Sequence, residues 1–268
     1  MKIPFICVNY NGHNETIKYI KNVKSLNDSN EAIIIIVDNS PHSSDFELLN
    51  QFILTNYKDV EDIVLLKRDN RGYFQALNEG ILYFKQLYGT DTMFIIGNND
   101  ITFKEDFLFQ LKKLSLNEDI LVIAPDVITN EGSHENPHVI QKIGFVRKLM
   151  YDIYFSNFFV GKILANIKST ERRFKPHDAI SKEIHMGIGA LYVLTPQYFK
   201  HFEKLPEEVF LYGEEAVLAG QLETVKGKTL YEPKLLCWHN ESSTTSNLGF
   251  ERKYKTMQNS YKIYRKYL

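Results

Sequence analysis

The sequence is poor in cysteine and tryptophan, and it has no long apolar run. Among its 268 residues are only two cysteines, Cys7 and Cys237, and one tryptophan. Both cysteines lie in apolar runs, so we interpret them as small buried hydrophobic residues and expect a reducing compartment. The longest strongly apolar run, Ala32 to Val37, is far shorter than the roughly 20 residues that span a bilayer.

Neither positive nor negative charge dominates the sequence. The formal net charge is −1, so overall electrostatics do not point to nucleic acid, and we expect no nucleic-acid partner. The first residues, Met1 to Pro4, lead directly into a strand-like segment without a signal-peptide pattern. We therefore expect a cytoplasmic protein that can still touch the cytoplasmic face of the inner membrane.

The first half of the chain alternates short apolar runs with helix-like segments, within a length that suits one large α/β domain. The run Ala32 to Val37 is rich in β-branched residues, which predicts a strand buried on both faces. Further strands are predicted at Ile3 to Val8, Ile63 to Leu66 and Thr92 to Ile96. Strands that alternate with helices predict a mostly parallel sheet.

The pattern weakens after about residue 125. Residues 129–142 are polar and predict a loop. Order returns with a strand predicted at Gly187 to Leu194, a helix from about Glu214, and a strand near Leu235 to Trp238.

Polar segments follow the predicted strands, where α/β sheets bind their ligands. These segments are Asn9-Tyr10-Asn11, Asp38-Asn39-Ser40, Asp69 to Gly72, and Asn98-Asn99-Asp100. Amide and carboxylate groups read the base and ribose edges of a nucleotide, and hard oxygen atoms bind a divalent metal. The strand ends therefore predict a site for a nucleotide and a metal.

Two residues are candidate metal ligands. Asp100 can hold a divalent cation that acts as a Lewis acid on a departing diphosphate, or it can belong to an ordinary polar turn. His239 follows the apolar run Leu235 to Trp238 and can complete the coordination, or it can be a hydrogen-bonded histidine at the edge of the core.

Two adjacent acids, Glu214 and Glu215, are candidate bases. Neighbouring residues on a helix do not share a face, so at most one can point into a site. That carboxylate can deprotonate an acceptor hydroxyl, and the alternative is a favourable charge in the first turn of a helix.

The tail from Glu251 to Leu268 holds six basic residues against one acid, interleaved with four tyrosines. This composition suits an anionic membrane surface or a lipid-diphosphate acceptor. A solvated amphipathic helix is the alternative.

Six segments, taken in order, match the motifs of one enzyme family. They are Val8 to Asn11, Ile36 to Ser40, Asn70 to Tyr73 with Ala76, Asn78 and Gly80, Gly187 to Leu194, Phe210 to Leu218, and Tyr231 to Ser242. This set resembles family 2 glycosyltransferases, in particular bacterial rhamnosyltransferase-like members that build surface polysaccharides. The resemblance covers roughly residues 3–245.

The resemblance implies a GT-A type, Rossmann-like α/β fold, with a mostly parallel sheet flanked by helices and a fused acceptor-binding half. Residues 1–125 are then a nucleotide-sugar-binding subdomain, 126–245 an acceptor-binding and catalytic subdomain, and 246–268 a basic C-terminal helix.

The resemblance also implies chemistry. An inverting transfer is expected from a UDP- or dTDP-sugar to a hydroxyl of a saccharide or lipid-linked saccharide. Glu215 is the expected base and Glu214 the fallback, and Asp100 and His239 are expected to hold Mn²⁺ or Mg²⁺. The expected donor-binding residues are Asn9, Tyr10, Asn11, Asp38, Asn70, Arg71, Gly72, Asn78, Asn98 and Asn99.

Two departures from the family pattern keep alternatives open. Asn98 stands where the metal motif usually begins with Asp, which lowers the expected metal affinity. Glu215 stands where Asp is usual, which changes the reach of the base. A non-catalytic nucleotide-sugar-binding subunit of a polysaccharide assembly complex is therefore the second hypothesis. A nucleotidyltransferase is disfavoured because the loop Asn9 to His13 has no Lys or Arg.

Overall fold

The structure is a computed structural model that describes residues 1–57, 61–167, 174–240 and 249–268. The strands in this part of the chain are β1 (Ile3–Asn9), β2 (Ala32–Asp38), β3 (Ile63–Lys67), β4 (Phe94–Asn98), β5 (Ile101–Phe103), β6 (Ile120–Thr129), β7 (Lys182–Ile184), β8 (Leu191–Leu194) and β9 (Lys228–His239). The α-helices are α1 (His13–Ser25), α2 (Ser43–Asn56), α3 (Tyr73–Tyr88), α4 (Phe107–Lys112), α5 (Phe145–Ser156), α6 (Phe158–Ile167), α7 (Pro196–His201), α8 (Glu214–Glu223) and α9 (Phe250–Tyr264).

These strands form one sheet with the order β3-β2-β1-β4-β8-β6-β9-β5, and β7 also pairs with β9. The first half of the chain supplies the parallel pairs of β1 with β2, β2 with β3, and β1 with β4. The second half adds β8 antiparallel to both β4 and β6, and β9 parallel to β6. The predicted α/β fold, with a sheet flanked by helices, is confirmed.

Strand β2 shows why these residues form a central strand. All of its residues are buried, and its side chains alternate between the two faces of the sheet. Ile33 and Ile35 join a core with Phe74 and Leu77 of α3, whereas Ile34 packs in the core on the opposite face. A buried strand with helices on both faces needs the continuous apolar run that the sequence has.

The two predicted subdomains share this sheet. Strand β6 runs through the expected boundary at residue 125 and pairs with β9 along most of its length. Their register shifts between Pro125 and Asp126, so the irregularity at the boundary is a bulge in a continuous ladder. The predicted strand Gly187 to Leu194 is shorter than expected, since only Leu191–Leu194 pair as β8.

The basic tail forms α9, and its aromatic side chains face the protein. Tyr254 and Tyr261 are buried against α5 and α6, and the ring of Tyr261 stacks on Phe155 with centroids 4.6 Å apart. These two tyrosines complete an internal aromatic cluster, and the membrane contact expected from the basic residues of the tail stays a prediction. None of the helices in the described ranges combines the length and the apolar character needed to cross a membrane.

Strand directions bring the functional candidates to one edge of the sheet. The C-terminal ends of β1 to β4, β6 and β9 lie at this edge, together with the N-terminal end of the antiparallel strand β8. Segments far apart in the sequence therefore meet beyond it.

Candidate active site

A cleft of about 440 Å³ opens beyond the ends of β1, β2 and β3. Its lining consists of Tyr10, Asn39, Ser40, Pro41, Lys67, Arg68, Asp69 and Asn70. Two of the expected donor-binding residues, Tyr10 and Asn70, thus line the cleft. An aromatic ring beside amide, hydroxyl and cationic groups suits the base, ribose and phosphates of a nucleotide.

The floor beneath this cleft is a buried polar network around Asn9. The amide nitrogen of Asn9 donates to Asp38 Oδ1 at 2.7 Å and to Asp45 Oδ2 at 3.1 Å. Its amide oxygen accepts from Thr16 Oγ1 at 2.9 Å and from Asn99 Nδ2 at 3.3 Å. Asn9 and Asp38 have no exposed surface, which corrects the expectation that they contact the donor directly. They support the cleft from below.

Helix α1 is joined to this network through His13. The backbone N–H of His13 donates to Asp45 Oδ2 at 3.0 Å, and its Nδ1 lies 2.8 Å from Asp45 Oδ1. Burial opposes the charge on Asp45, but the hydrogen bonds from Asn9 and His13 outweigh it and lower the pKa of the Asp45 carboxyl. The starts of α1 and α2 are thereby fixed beside the cleft.

Lys67 is a residue that the sequence analysis missed. It ends β3, and its Nζ donates to Asp38 Oδ2 and to the carbonyl oxygen of Ser40, both at 2.6 Å. The buried carboxylate of Asp38 is thereby paired, and a cation is held in the cleft wall. The signal was available, because Lys67 follows the predicted strand Ile63 to Leu66 directly.

The remaining expected donor-binding residues after β1 and β3 have different positions. Asn11 adopts a left-handed φ of 53°, and its N–H donates to Ser40 Oγ at 2.8 Å. Arg71 is exposed and lies 4.0 Å from Asp69 Oδ2. Gly72 has a φ of 130°, and a Cβ there would meet the carbonyl oxygen of Phe210 at 2.9 Å.

Asn78 does not belong to the cleft. Its amide nitrogen donates to the carbonyl oxygen of Leu205 at 3.0 Å and to Glu207 Oε1 at 2.9 Å. Its amide oxygen accepts the N–H of Leu205 at 2.8 Å. The expectation that Asn78 binds the donor is therefore corrected: this side chain ties α3 to the loop after α7.

The two expected metal ligands lie side by side at the ends of β4 and β9. His239 Nε2 is 3.4 Å from Asp100 Oδ1 and 3.2 Å from the amide nitrogen of Asn98. On the other side of the ring, Nδ1 lies 3.0 Å from Glu135 Oε2. Burial lowers the pKa of His239, but Asp100 and Glu135 outweigh it and raise that pKa to about 10.

His239 is therefore biased towards its protonated form, and a cation would have to displace that proton before the pair could offer it one carboxylate and one imidazole. The described residues contain no group of three or more His, Cys, Asp or Glu side chains placed to hold a metal ion. Two protein donors still fit a cation whose other ligands come from a diphosphate and water, as Mg²⁺ sites commonly use. A histidine ligand whose second nitrogen meets a carboxylate is a recurrent arrangement, so Glu135 is a second residue that sequence reasoning missed.

The two candidate bases have different surroundings at the start of α8. Glu215 is partly exposed, and its Oε1 accepts the backbone N–H of Gly189 at 3.0 Å. Glu214 is buried, and its Oε1 has no hydrogen-bond partner within the described part of the chain. Burial and the neighbouring charge of Glu215 raise the pKa of Glu214. Glu214 is thus biased towards its protonated form.

Tyr73 lies within electrostatic range of Asp100 and of both candidate bases. The Tyr73 ring keeps some exposed surface, but its hydroxyl is enclosed and donates to the carbonyl oxygen of Gly189 at 3.2 Å. Burial raises the pKa of Tyr73, and the carboxylates of Glu214, Asp100 and Glu215 raise it further. The three acids therefore all disfavour ionisation of this one hydroxyl.

Comparisons with known proteins agree with this architecture. The chain is similar to GalNAc-T7 with UDP, GalNAc and Mn²⁺, with a TM-score of 0.60 and 14% identity over 90% of this chain and 44% of that one. It is similar to the mannosyltransferase PcManGT from Pyrobaculum calidifontis in complex with GDP-Man and Mn²⁺, with a TM-score of 0.56 and 13% identity over 91% and 58%. It is also similar to S. aureus TarS, with a TM-score of 0.56 and 10% identity over 91% and 37%.

At these identities the similarity shows the fold, which is that of GT-A glycosyltransferases. This chain covers less than two thirds of the length of each of these three proteins. No protein-family model and no curated protein matches the sequence. Ser242, at the end of the expected His-containing motif, lies outside the described residues.

Proposed function

We propose that this chain is a metal-dependent, inverting glycosyltransferase that transfers a sugar from a nucleotide diphosphate sugar to an acceptor hydroxyl. The observation that carries the proposal is that Asp100 and His239 lie 3.4 Å apart at the strand ends, while Glu215 accepts the N–H of Gly189 just before the neighbouring strand β8. The three similar structures include two solved with a nucleotide or nucleotide sugar and Mn²⁺, which supports this donor class.

The nucleotide of the donor occupies the cleft beyond β1 to β3 in this proposal. Tyr10 and Asn70 contact the base and ribose, while Lys67 and Arg68 supply positive charge next to the phosphates. Asn11 and the exposed Arg71 belong to the same loops, and they contact the donor from there. UDP- and dTDP-sugars are the proposed donors.

The diphosphate then extends towards the ends of β4 and β9. Asp100 and His239 would hold the divalent cation, Mn²⁺ or Mg²⁺, which would stabilise negative charge on the departing diphosphate. Glu135 holds Nδ1 of His239 so that Nε2 faces Asp100. Asn98 contributes an amide at the position where a second carboxylate is usual, and Asn99 braces the same turn from below.

Glu215 is the proposed base, because its carboxylate is accessible and is oriented by Gly189. It removes the proton of the acceptor hydroxyl, and the acceptor oxygen bonds to the anomeric carbon opposite the diphosphate. The bond between that carbon and the phosphate oxygen breaks, so the configuration inverts and Glu215 retains the proton. Glu214, whose own pKa is raised, keeps its proton and supports the helix start.

The proposed acceptor is a saccharide or lipid-linked saccharide in surface polysaccharide synthesis. Residues 1–125 then bind the donor and residues 126–245 bind the acceptor, with α9 packed against the acceptor half. Cys7 and Cys237 are buried and not disulfide-bonded, which fits the proposed cytoplasmic location.

Donor turnover tests the proposal. The purified chain is incubated with UDP-, dTDP- and GDP-sugars and Mn²⁺, and release of the nucleotide diphosphate is measured with and without saccharide acceptors. Release should depend on the metal and should fall by at least about 100-fold in Glu215→Gln, the usual scale for losing a general base. The matched control is Glu118→Gln, an exposed carboxylate beside the opposite edge of the sheet.

Binding measurements separate the two hypotheses. Tight donor binding with no release in any acceptor panel supports the non-catalytic subunit, which the amide at Asn98 motivates. Release that is equal in wild type and in Glu215→Gln excludes Glu215 as the base. A donor-induced thermal shift that is lost in Asp100→Asn supports the metal assignment.

A further inference from the structure

An apolar surface covers the outer side of the helical hairpin formed by α5 and α6. Phe145, Val146, Leu149, Met150 and Ile153 of α5 follow a helical spacing that places them on one stripe. Phe145 is 79% exposed and Val146 is 72% exposed. Phe159 and Ile163 of the adjoining α6 are also exposed, and we call these two residues and the α5 stripe the hairpin face. Single exposed apolar residues are common, but a stripe of large ones along one helix marks an interaction site.

The hairpin is firmly attached, so the hairpin face has a fixed orientation. On the inner side, the hydroxyl of Tyr254 donates to the carbonyl oxygens of Tyr154 at 2.7 Å and of Asn157 at 2.9 Å. Arg265 forms an ion pair with Asp152, and Phe155 is buried in the aromatic cluster. The inner side of the hairpin therefore has a partner in the fold, and the outer side presents apolar side chains to its surroundings.

The two helices of the hairpin carry more basic than acidic side chains. Helices α5 and α6 carry Arg147, Lys148 and Lys162. Their one acid, Asp152, is directed to the inner side and is already paired with Arg265. Apolar side chains in the centre with basic side chains nearby are the composition of a helix that lies in the interface of an anionic bilayer.

We propose that the hairpin face docks on an anionic lipid bilayer. Charge complementarity favours lipid over a second copy of this chain, because a symmetric dimer through this face would bring basic residues against basic residues. Large apolar side chains enter the region between headgroups and acyl chains, and the basic side chains contact acidic headgroups. The hairpin replaces the tail tyrosines as the membrane contact.

Helix α9 connects the hairpin to the start of the helix that carries the candidate bases. Helix α9 packs on the hairpin, and it also contacts the loop that precedes Glu214. Ser260 Oγ donates to the carbonyl oxygen of Leu211 at 2.7 Å, and the ring of Tyr264 lies against Gly213. The hairpin is thus joined through one helix to the start of α8, so a docked protein holds the acceptor half close to the bilayer.

Vesicle flotation with the full chain tests the proposal. Vesicles of phosphatidylcholine with and without phosphatidylglycerol are compared, at low and at high salt. Wild type should float with the anionic vesicles and should dissociate at high salt. In the combined variant Phe145→Ser, Val146→Ser and Phe159→Ser, the partition coefficient should fall by at least about tenfold, because three large apolar side chains leave the interface.

The matched control replaces exposed leucines elsewhere, combining Leu54→Ser, Leu82→Ser and Leu87→Ser, and it should float like wild type. Cooperative thermal unfolding of every variant shows whether each is folded, independently of lipid and of nucleotide. The proposal is overturned if wild type stays with neither vesicle, if it floats equally with both, or if the hairpin variant floats like wild type. It is also overturned if sedimentation velocity shows a wild-type dimer that the hairpin variant converts to a monomer.

Discussion

Replacing Gly189 by alanine should separate catalysis from folding. A Cβ built on Gly189 would lie 2.7 Å from Oε1 and 3.2 Å from Cδ of Glu215. Ordinary contact needs about 3.4 Å or more, so the Glu215 carboxylate has to move by several tenths of an ångström or more. Because that atom is the far end of a flexible side chain, the cost to stability should stay below about 1 kcal/mol.

The same displacement of the Glu215 carboxylate should lower the rate of the reaction. The carboxylate loses its position against the N–H of Gly189, which it now meets at 3.0 Å. Misplacement of a reacting group by about 1 Å can cost on the order of 100-fold in rate. We therefore expect kcat of Gly189→Ala to fall by about 10-fold to 100-fold, while donor affinity is retained.

Steady-state kinetics, donor titration and thermal unfolding measured on the same preparations provide the assay. Gly144→Ala is the matched control, because a Cβ there meets nothing within 4 Å. An unchanged kcat in Gly189→Ala would show that Glu215 does not act from the position described. If the free energy of unfolding fell far enough to account for the lost activity, Gly189 would be a folding residue only.

Three further outcomes are expected. Glu135→Gln should weaken Mn²⁺ binding by about 10-fold to 100-fold, measured by electron paramagnetic resonance, because His239 loses its orienting carboxylate. The folded pKa of Glu214 is raised to about 8, so wild-type stability should fall as pH rises from the ordinary glutamate range towards that value. Glu214→Gln should therefore gain up to about 1.4 kcal/mol per pH unit relative to wild type in that window, measured by denaturant unfolding. Lys67→Met should cost about 1–3 kcal/mol of stability and also weaken donor binding, because it leaves the buried Asp38 carboxylate without its cation.

The sequence predicted the parallel half of the fold because its strands are short, apolar and bounded by polar turns. A continuous apolar run such as Ala32 to Val37 has few alternatives to a buried strand. Placing Asp100 and His239 together needed only the rule that the ends of parallel strands share an edge, and they lie 3.4 Å apart although 139 positions separate them in sequence.

Side-chain direction is what the sequence did not reveal. Asn9 and Asp38 follow strands, as ligand-binding residues do, yet they point into the floor because they satisfy each other there. Glu135 lay in a segment predicted only as a loop, and its contact with His239 spans 104 positions. No local pattern encodes such a distant pair.

The hairpin and the tail show the same limit for amphipathic segments. The spacing of Tyr254 and Tyr261 indicates an apolar stripe, but spacing alone cannot say whether protein or lipid covers it. Here the partner is Phe155 of α5, and the exposed stripe belongs to the partner helix instead. Only the packing of one helix on another decides between these arrangements.

The side-chain amide of Asn9 should affect the rate at which a ligand associates with the cleft. By linking Asp38, Asp45 and Thr16 through one side chain, it fixes the shape of the cleft floor. An arriving nucleotide meets walls that are already in place, so little ordering entropy remains to be lost on binding. Which nucleotide binds should then depend on the cleft residues above that floor. The association rate should be limited by diffusional encounter more than by conformational rearrangement of the protein.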